Sequence, residues 1–263
     1  SEEIGKVFKG RLCKDTDGTG KLTAMPEIRI KYDLHTHTYY SHGKNSPREN
    51  VLRAVELGLD AVAVSEHAEG NMYYGVRGKK LEKLNLELTE LRKEFGGKID
   101  VRTGLECNVL DFGRSDIPKN RDEYDFIILG YHRGVPPTNR FACHILAESY
   151  LGFSDPKKNT ESIMLAAERG KANIISHPNE YLRVDIAYMA DCARQLGIAL
   201  EINSKHVSLS PEEIKTIADH GAKLIIGSDA HRAEKVGDFD NALIAAASAG
   251  VLDKIVNIEV ING

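Results

Sequence analysis

Seven short apolar runs lead into histidines, carboxylates or an amide, and this pattern narrows the possible folds more than any other feature of the chain. Residues 28–32 lead into Asp33-Leu34-His35-Thr36-His37, and residues 61–64 into Ser65-Glu66-His67. Residues 99–102 precede Gly104-Leu105-Glu106, and residues 126–129 precede Gly130-Tyr131-His132. Residues 174–175 lead into Ser176-His177-Pro178, residues 224–227 into Ser228-Asp229-Ala230-His231, and the run 199–203 ends in Asn203. Apolar runs of this length read as buried strands, and a barrel of parallel strands carries its chemistry where the strands end. Neutral imidazole and carboxylate are ligands for zinc and similar metals. Chance rarely places such groups at that point on so many strands.

Helices are predicted between the runs, over 47–57, 81–95, 160–169, 186–196, 211–220 and 239–249, most of them closed by a glycine. Ser46 caps the first, with Pro47 near its start. Ser210 and Glu213 form a capping box for the fifth. Alternating strands and helices with short turns imply an α/β fold with a parallel sheet. Seven strands with functional groups at one end favour a closed TIM-like barrel. An open doubly wound sheet is the second choice, and its usual glycine-rich phosphate fingerprint is absent. Residues 1–27 read as an irregular extension to a single domain over 28–263. Residues 133–159 are long for a connection and read either as a lid or substrate wall or as a packed surface insertion. The stretch Asp15-Thr16-Asp17-Gly18-Thr19-Gly20 imitates a calcium loop, but Pro26 stands where that loop requires glutamate, so a solvated turn is expected.

The 263 residues, 41% hydrophobic and 28% charged, suffice for one large core. A net charge of -4 and a pI near 6.2 provide no basic stripe, so long nucleic acid is not an expected partner. Cys13, Cys107, Cys143 and Cys192 form no C-x-x-C pair and read as reduced thiols. Cys107 should face away from its neighbour Glu106, because side chains alternate along a strand. No secretory signal or membrane-length apolar stretch is read, which makes the cytoplasm the expected location and excludes a membrane partner.

His35 and His37 are two residues apart and face the same side of a strand end; Asp229 and His231 repeat the spacing. In order, D-L-H-T-H, S-E-H, G-L-E, G-Y-H, S-H-P and S-D-A-H resemble the signature segments of the PHP (polymerase and histidinol phosphatase) family, over about residues 30–257. The resemblance implies a distorted (β/α)7 barrel with its metal site at the C-terminal ends of the strands. It implies three divalent ions. His35, His37, Glu106 and Asp229 would hold the first, and Glu106 would bridge to a second completed by His132 and His177. His42, His67 and His231 would hold the third. Zinc suits these ligands; manganese and iron are alternatives. Amidohydrolases also begin with H-x-H, but normally use eight strands and often a carboxylated lysine on the fourth.

The resemblance further implies a metal-dependent phosphoesterase. It would hydrolyse a small phosphomonoester by attack of a metal-bound hydroxide, as a histidinol phosphatase does, with Glu106, Asp229 and His231 at the reacting centre. The small phosphorylated substrate needs further positive charge. Arg133, Arg183, Lys205 and Arg232 all lie in loops at the expected catalytic end, the first two being favoured. Tyr73, Tyr74 and Arg77 could line the entrance. Asn203 is expected to orient a ligand histidine or the substrate. His206 reads as a solvated loop residue and His220 as a structural helix-end residue. One alternative is a phosphodiesterase or nuclease acting on nucleotides or oligonucleotides. Another is a non-catalytic, metal-stabilised binding module.

Overall fold

Ladder hydrogen bonds join seven parallel strands side by side in their order along the chain. In the computed structural model these are β1 (Tyr32–Asp33), β2 (Ala61–His67), β3 (Asp100–Asp111), β4 (Phe126–Gly130), β5 (Ile174–Ile175), β6 (Ala199–Asn203) and β7 (Lys223–Gly227). The structure describes residues 27–261, together with the strand backbone at 7–8, 12–13 and 23–24. Beyond β1 and β7, Thr36 bridges Ala230 in parallel, and His37 N donates to Ala230 O at 2.7 Å. The sheet thereby curls into a nearly closed, TIM-like barrel of seven strands.

Helices α1 (Pro47–Glu56), α2 (Lys79–Phe95), α3 (Arg140–Leu151), α4 (Pro156–Gly170), α5 (Ile186–Leu196), α6 (Pro211–Asp219) and α7 (Asp240–Ser248) connect the strands. The predicted capping box of Ser210 with Glu213 starts α6, and the predicted Ser46 cap of α1 proves to be a full box with Glu49. Each satisfies backbone N–H groups that the first helical turn leaves without partners. The main core lies between sheet and helices, where Leu105, Cys107 and Val109 of β3 meet Leu88 and Leu91 of α2. Cys107 therefore faces away from Glu106, as alternation requires. A smaller cluster, including Leu34, Ala63, Phe126, Ile128 and Ile225, fills the barrel's lower interior. The upper interior is left to polar groups.

Several sequence expectations need correction. The run 28–32 divides between two sheets. Glu27–Ile30 pairs antiparallel with Ile258–Ile261 and with Val7–Phe8, and Tyr32–Asp33 alone joins the barrel. Three short strands, at 7–8, 12–13 and 23–24, fall in the stretch read as irregular; the calcium-loop imitation at 15–20 and Cys13's side chain lie outside the described residues. Residues 133–159 contain a full helix, α3, capped by the Asn139 side chain on Ala142 N at 3.0 Å. Glu106 is not at a strand end. β3 runs five residues beyond it, and Arg114–Ser115 folds back against the overrun.

Asn257 closes the seam between first and last strands. It is fully buried, and its side-chain amide donates to Tyr32 O at 3.0 Å and Ile226 O at 2.8 Å while accepting from Ile226 N at 3.0 Å. One side chain thus does the work of a missing strand ladder. Asn257→Ala leaves three buried backbone groups without partners. It should lower unfolding free energy by about 3 kcal/mol, measured as a reduced urea midpoint with an unchanged slope.

Candidate metal centre

The register of β2 on β3 places His67 directly beside Glu106. His67 Nδ1 lies 3.1 Å from one Glu106 oxygen. The other oxygen is approached by His132 Nε2 at 3.1 Å, His177 Nε2 at 3.2 Å and His35 Nε2 at 3.3 Å. His37 Nε2 stands 3.4 Å from both Glu106 and Asp229. Five imidazoles from four strand ends therefore converge on one carboxylate that is 1% exposed. On the far side, His231 Nε2 and His42 Nε2 are 2.5 Å apart, and the His42 ring stacks on Tyr74 at 4.2 Å. All nine predicted ligands are brought to one end of the barrel.

Side chains behind the rings set their orientation. Glu201 accepts from His35 Nδ1 at 2.7 Å and from the backbone N–H of His177 at 3.0 Å. Asn108 meets His132 Nδ1 at 2.8 Å, and Glu66 lies 3.6 Å from His37 Nδ1. Glu66 also accepts from Thr38 N at 2.9 Å and from the Thr38 and Ser41 hydroxyls, which ties down the loop carrying His42. Partners of this kind fix the ring tautomer and raise ligand basicity. Glycines make room for them. A Cβ at Gly130 would strike Ser176 Oγ and come within 3.2 Å of the His132 ring; one at Gly227 would strike Glu201. His177 and Asp229 adopt φ of 30° and 49°, a left-handed conformation uncommon for such residues. The strain is held by the bonds of Glu201 to His177 N and of Asn203 Nδ2 to Asp229 Oδ2 at 3.3 Å.

Electrostatics divides the rings into two sets. Burial lowers the affinity of His35 and His37 for a proton, but facing carboxylates outweigh it. Glu201, Glu106 and Asp229 raise His35 well above the ordinary range, and Asp229, Glu106 and Glu66 lift His37 to about 10. The outer rings go the other way. Burial, then the charges of His37 and Lys205, lower His42 to about 4; burial, with His37 next, brings His231 to about 3. Burial alone favours a charged form for neither Glu106 nor Asp229, yet the surrounding imidazoles hold both well below the usual carboxylate range. These shifts favour ionised acids and neutral outer rings.

This donor set fits divalent cations. His35 Nε2, both His37 nitrogens, His42 Nδ1 and His67 Nδ1 are buried without a hydrogen-bond partner. Unpaired buried polar atoms are costly, and divalent cations among these rings would satisfy several of them. Among the described residues, three triads have ligand atoms within 4.8 Å of one another: His35, His37 and Asp229; His67, Glu106 and His132; His37, His42 and His67. The first lies within the implied first group, whereas the other two mix the implied groups. Lys205 Nζ, 3.1 Å from His231 Nδ1 and 3.6 Å from Asp229, places a cation of the chain itself at this edge.

A cavity of about 340 Å³ opens over the cluster. Arg133 and Lys205 line it; Arg183 does not, and its side chain is exposed. Arg232 is also exposed, pairs with Glu234 at 3.7 Å and borders a neighbouring cavity that Lys205 shares. Tyr73 and Tyr74 stand in the main cavity wall, as does His206, whose Nδ1 is 3.1 Å from Glu180. His206 is thus a cavity residue, held in place by an acid. His220 bonds Asp191 at 3.0 Å, away from the site. Asn203 bonds Glu201 and Asp229, not a ligand ring. Sequence reasoning overlooked Glu201, although a lone acid within the apolar run Ala-Leu-Glu-Ile-Asn was a visible signal.

The PHP domain family profile matches residues 33–205, more than half of the chain. The chain belongs to the PHP domain family. Among the relatives of this PHP domain, a "Probable phosphatase" of Shewanella sediminis is 27% identical over 232 residues, covering 81% of this chain and 84% of its own. A "Probable phosphatase" of Thermoanaerobacter sp. strain X514 is 28% identical over 247 residues, covering 87% and 90%. The PHP fold superposes on histidinol phosphate phosphatase from Lactococcus lactis, solved with zinc, L-histidinol and phosphate. That match has a TM-score of 0.57 and 19% identity, and covers 84% of this chain and 93% of that one.

Glu201→Gln keeps the size of the side chain but weakens its hold on His35 and His177. Divalent-metal affinity should fall about 10–100-fold. Competition with a chromophoric zinc chelator reads this directly, and an unaltered far-UV spectrum confirms the fold.

Proposed function

We propose that this protein is a metal-dependent phosphomonoesterase, histidinol-phosphatase-like in chemistry, acting on a small phosphorylated substrate. The observation that carries the reading is the convergence of five imidazoles on Glu106 beneath a cavity that also holds an arginine. His35, His37, His42, His67, Glu106, His132, His177, Asp229 and His231 would hold divalent cations, three by family resemblance, with zinc the best match to the donors. Cations there supply Lewis acidity and lower the pKa of a bound water.

The chain's own residues do the rest. Ionised Glu106 and Asp229 give the site its negative charge, and their position between strands fixes where cations sit. Glu201, Glu66 and Asn108 keep the rings aimed during turnover. Arg133 offers a planar guanidinium to phosphoryl oxygens, and Lys205 adds a second positive charge at the Asp229 edge. A cavity of about 340 Å³ lies at the small end for ligand sites, which favours a small phosphomonoester over an oligonucleotide. Arg232 borders the neighbouring cavity and Arg183 lines neither cavity, so neither is assigned a substrate contact. Among the described residues no helix is long and apolar enough to cross a membrane.

Glu106→Gln should cut phosphate release from the metal-loaded enzyme by at least about 10³-fold, in line with losing a large electrostatic contribution. The assay is inorganic phosphate released from a panel of histidinol phosphate, sugar phosphates and nucleotides. Retained activity with the fold intact would refute the proposal. Activity confined to phosphodiesters would transfer it to the nuclease reading, and inactivity of metal-loaded wild type on every ester would favour a binding module.

A further inference from the structure

Arg133 is held in a slot between two tyrosines. Its guanidinium carbon lies over the Tyr150 ring at 4.4 Å and over the Tyr181 ring at 4.9 Å, and one terminal nitrogen donates to Ser149 O. Such stacking fixes the plane of a guanidinium and leaves its remaining N–H groups free for an anion. The two walls belong to different parts of the fold. Tyr150 sits near the end of α3, whereas Tyr181 lies in the loop between β5 and α5. Tyr150 is 65% exposed, so its position depends on where α3 is docked and not on core packing.

One buried amide hydrogen-bonds to both walls, beside the packing of Ile145 on Leu182. Asn159, in α4 and 2% exposed, donates through Nδ2 to Glu148 Oε1 at 2.6 Å and to Arg183 O at 2.9 Å. Glu148 lies two residues before Tyr150, and Arg183 two residues after Tyr181. Glu148 is 4% exposed. Its other oxygen has no hydrogen-bond partner, and the His144 ring stands 4.0 Å away. A buried carboxylate with one donor depends strongly on that donor. Arg183 thus acts in the molecule through its carbonyl, as an anchor for its loop.

We propose that Asn159 is a positioning residue for phosphate recognition: by bonding Glu148 and the Arg183 carbonyl together, it sets the width of the Tyr150–Tyr181 slot and so the aim of Arg133. The proposal rests on the reading of Arg133 as a phosphate ligand. Its direct effect is on phosphate affinity; the cluster around Glu106 is left in place.

The test uses metal-loaded protein and inorganic phosphate, which has no leaving group to touch the tyrosines. Phosphate affinity is read by calorimetry and as competitive inhibition. Asn159→Ala should weaken phosphate about tenfold and raise KM in proportion, with kcat altered less than about twofold, the scale of a lost stacked-arginine contact. Arg133→Ala should weaken phosphate at least as much. The double variant should be no weaker than Arg133→Ala alone, since two residues acting through one contact are not additive. Glu148→Gln, which keeps an acceptor for Asn159, should lose less than Glu148→Ala. Should Asn159→Ala fail to fold, Tyr150→Leu on the surface removes one wall and should reproduce the tenfold loss. Additive losses, or an Asn159→Ala or Tyr150→Leu protein with wild-type phosphate affinity, overturn the proposal. Wild-type affinity in Arg133→Ala removes the underlying reading of that arginine, and the proposal with it.

Discussion

Four carboxylates, Glu66, Glu106, Glu201 and Asp229, are buried at one end of the barrel, each no more than 5% exposed. Concentrating negative charge away from water is among the most expensive things a fold can do. The surrounding structure is organised to offset it. Imidazoles ring Glu106, protons are drawn onto His35 and His37, and the Lys205 ammonium leans towards Asp229. Protons and an ammonium are weak substitutes for divalent cations, which can satisfy several acids and several orphaned ring nitrogens together. The need for positive charge is therefore a property of the folded chain, independent of any comparison with relatives.

Parallel strands in sequential order supply the geometry. Because side chains alternate, Glu106 and Asn108 face the barrel axis while Leu105 and Cys107 face the helices. The β2–β3 register sets His67 against Glu106, and the β6–β7 register sets Asn203 beside Gly227, where only a residue without a side chain leaves room for Glu201. Positive φ at His177 and Asp229 turns those two side chains inwards where the strands stop. The strain is tolerated because Glu201 and Asn203, themselves buried, hold the turns.

Much of this was legible in the sequence. The seven runs, the six predicted helices, the Ser46 cap and the Ser210–Glu213 capping box could be read because strand hydrophobicity and cap chemistry are local. What was misread depends on distant partners. Helix α3 follows Pro136-Pro137 in a long connection, and its docking through Ile145 onto Tyr131 and Leu182 cannot be inferred from spacing. β3 overruns Glu106 because Cys107 and Asn108 still pair with β4, and Val109 and Asp111 find hairpin partners in Ser115 and Arg114. The nine candidate ligands were found because imidazoles at strand ends are conspicuous, whereas Glu201 and Asn108 serve those rings from within strands. Arg183 shows the limit of loop position as a guide. It lies at the expected end of the barrel, yet its exposed side chain does not line the cavity.

The seam between β1 and β7 has a mechanical consequence. The barrel is a hoop whose ends meet at one bridge, Thr36 to Ala230, reinforced by Asn257. His35 and His37 extend from one end of that hoop, Asp229 and His231 from the other. A single ion gripped by His35, His37 and Asp229 would therefore act as a rivet through the overlap. Hoop tension and ion affinity become two readings of one quantity, and any motion that opens the hoop must first pull the rivet.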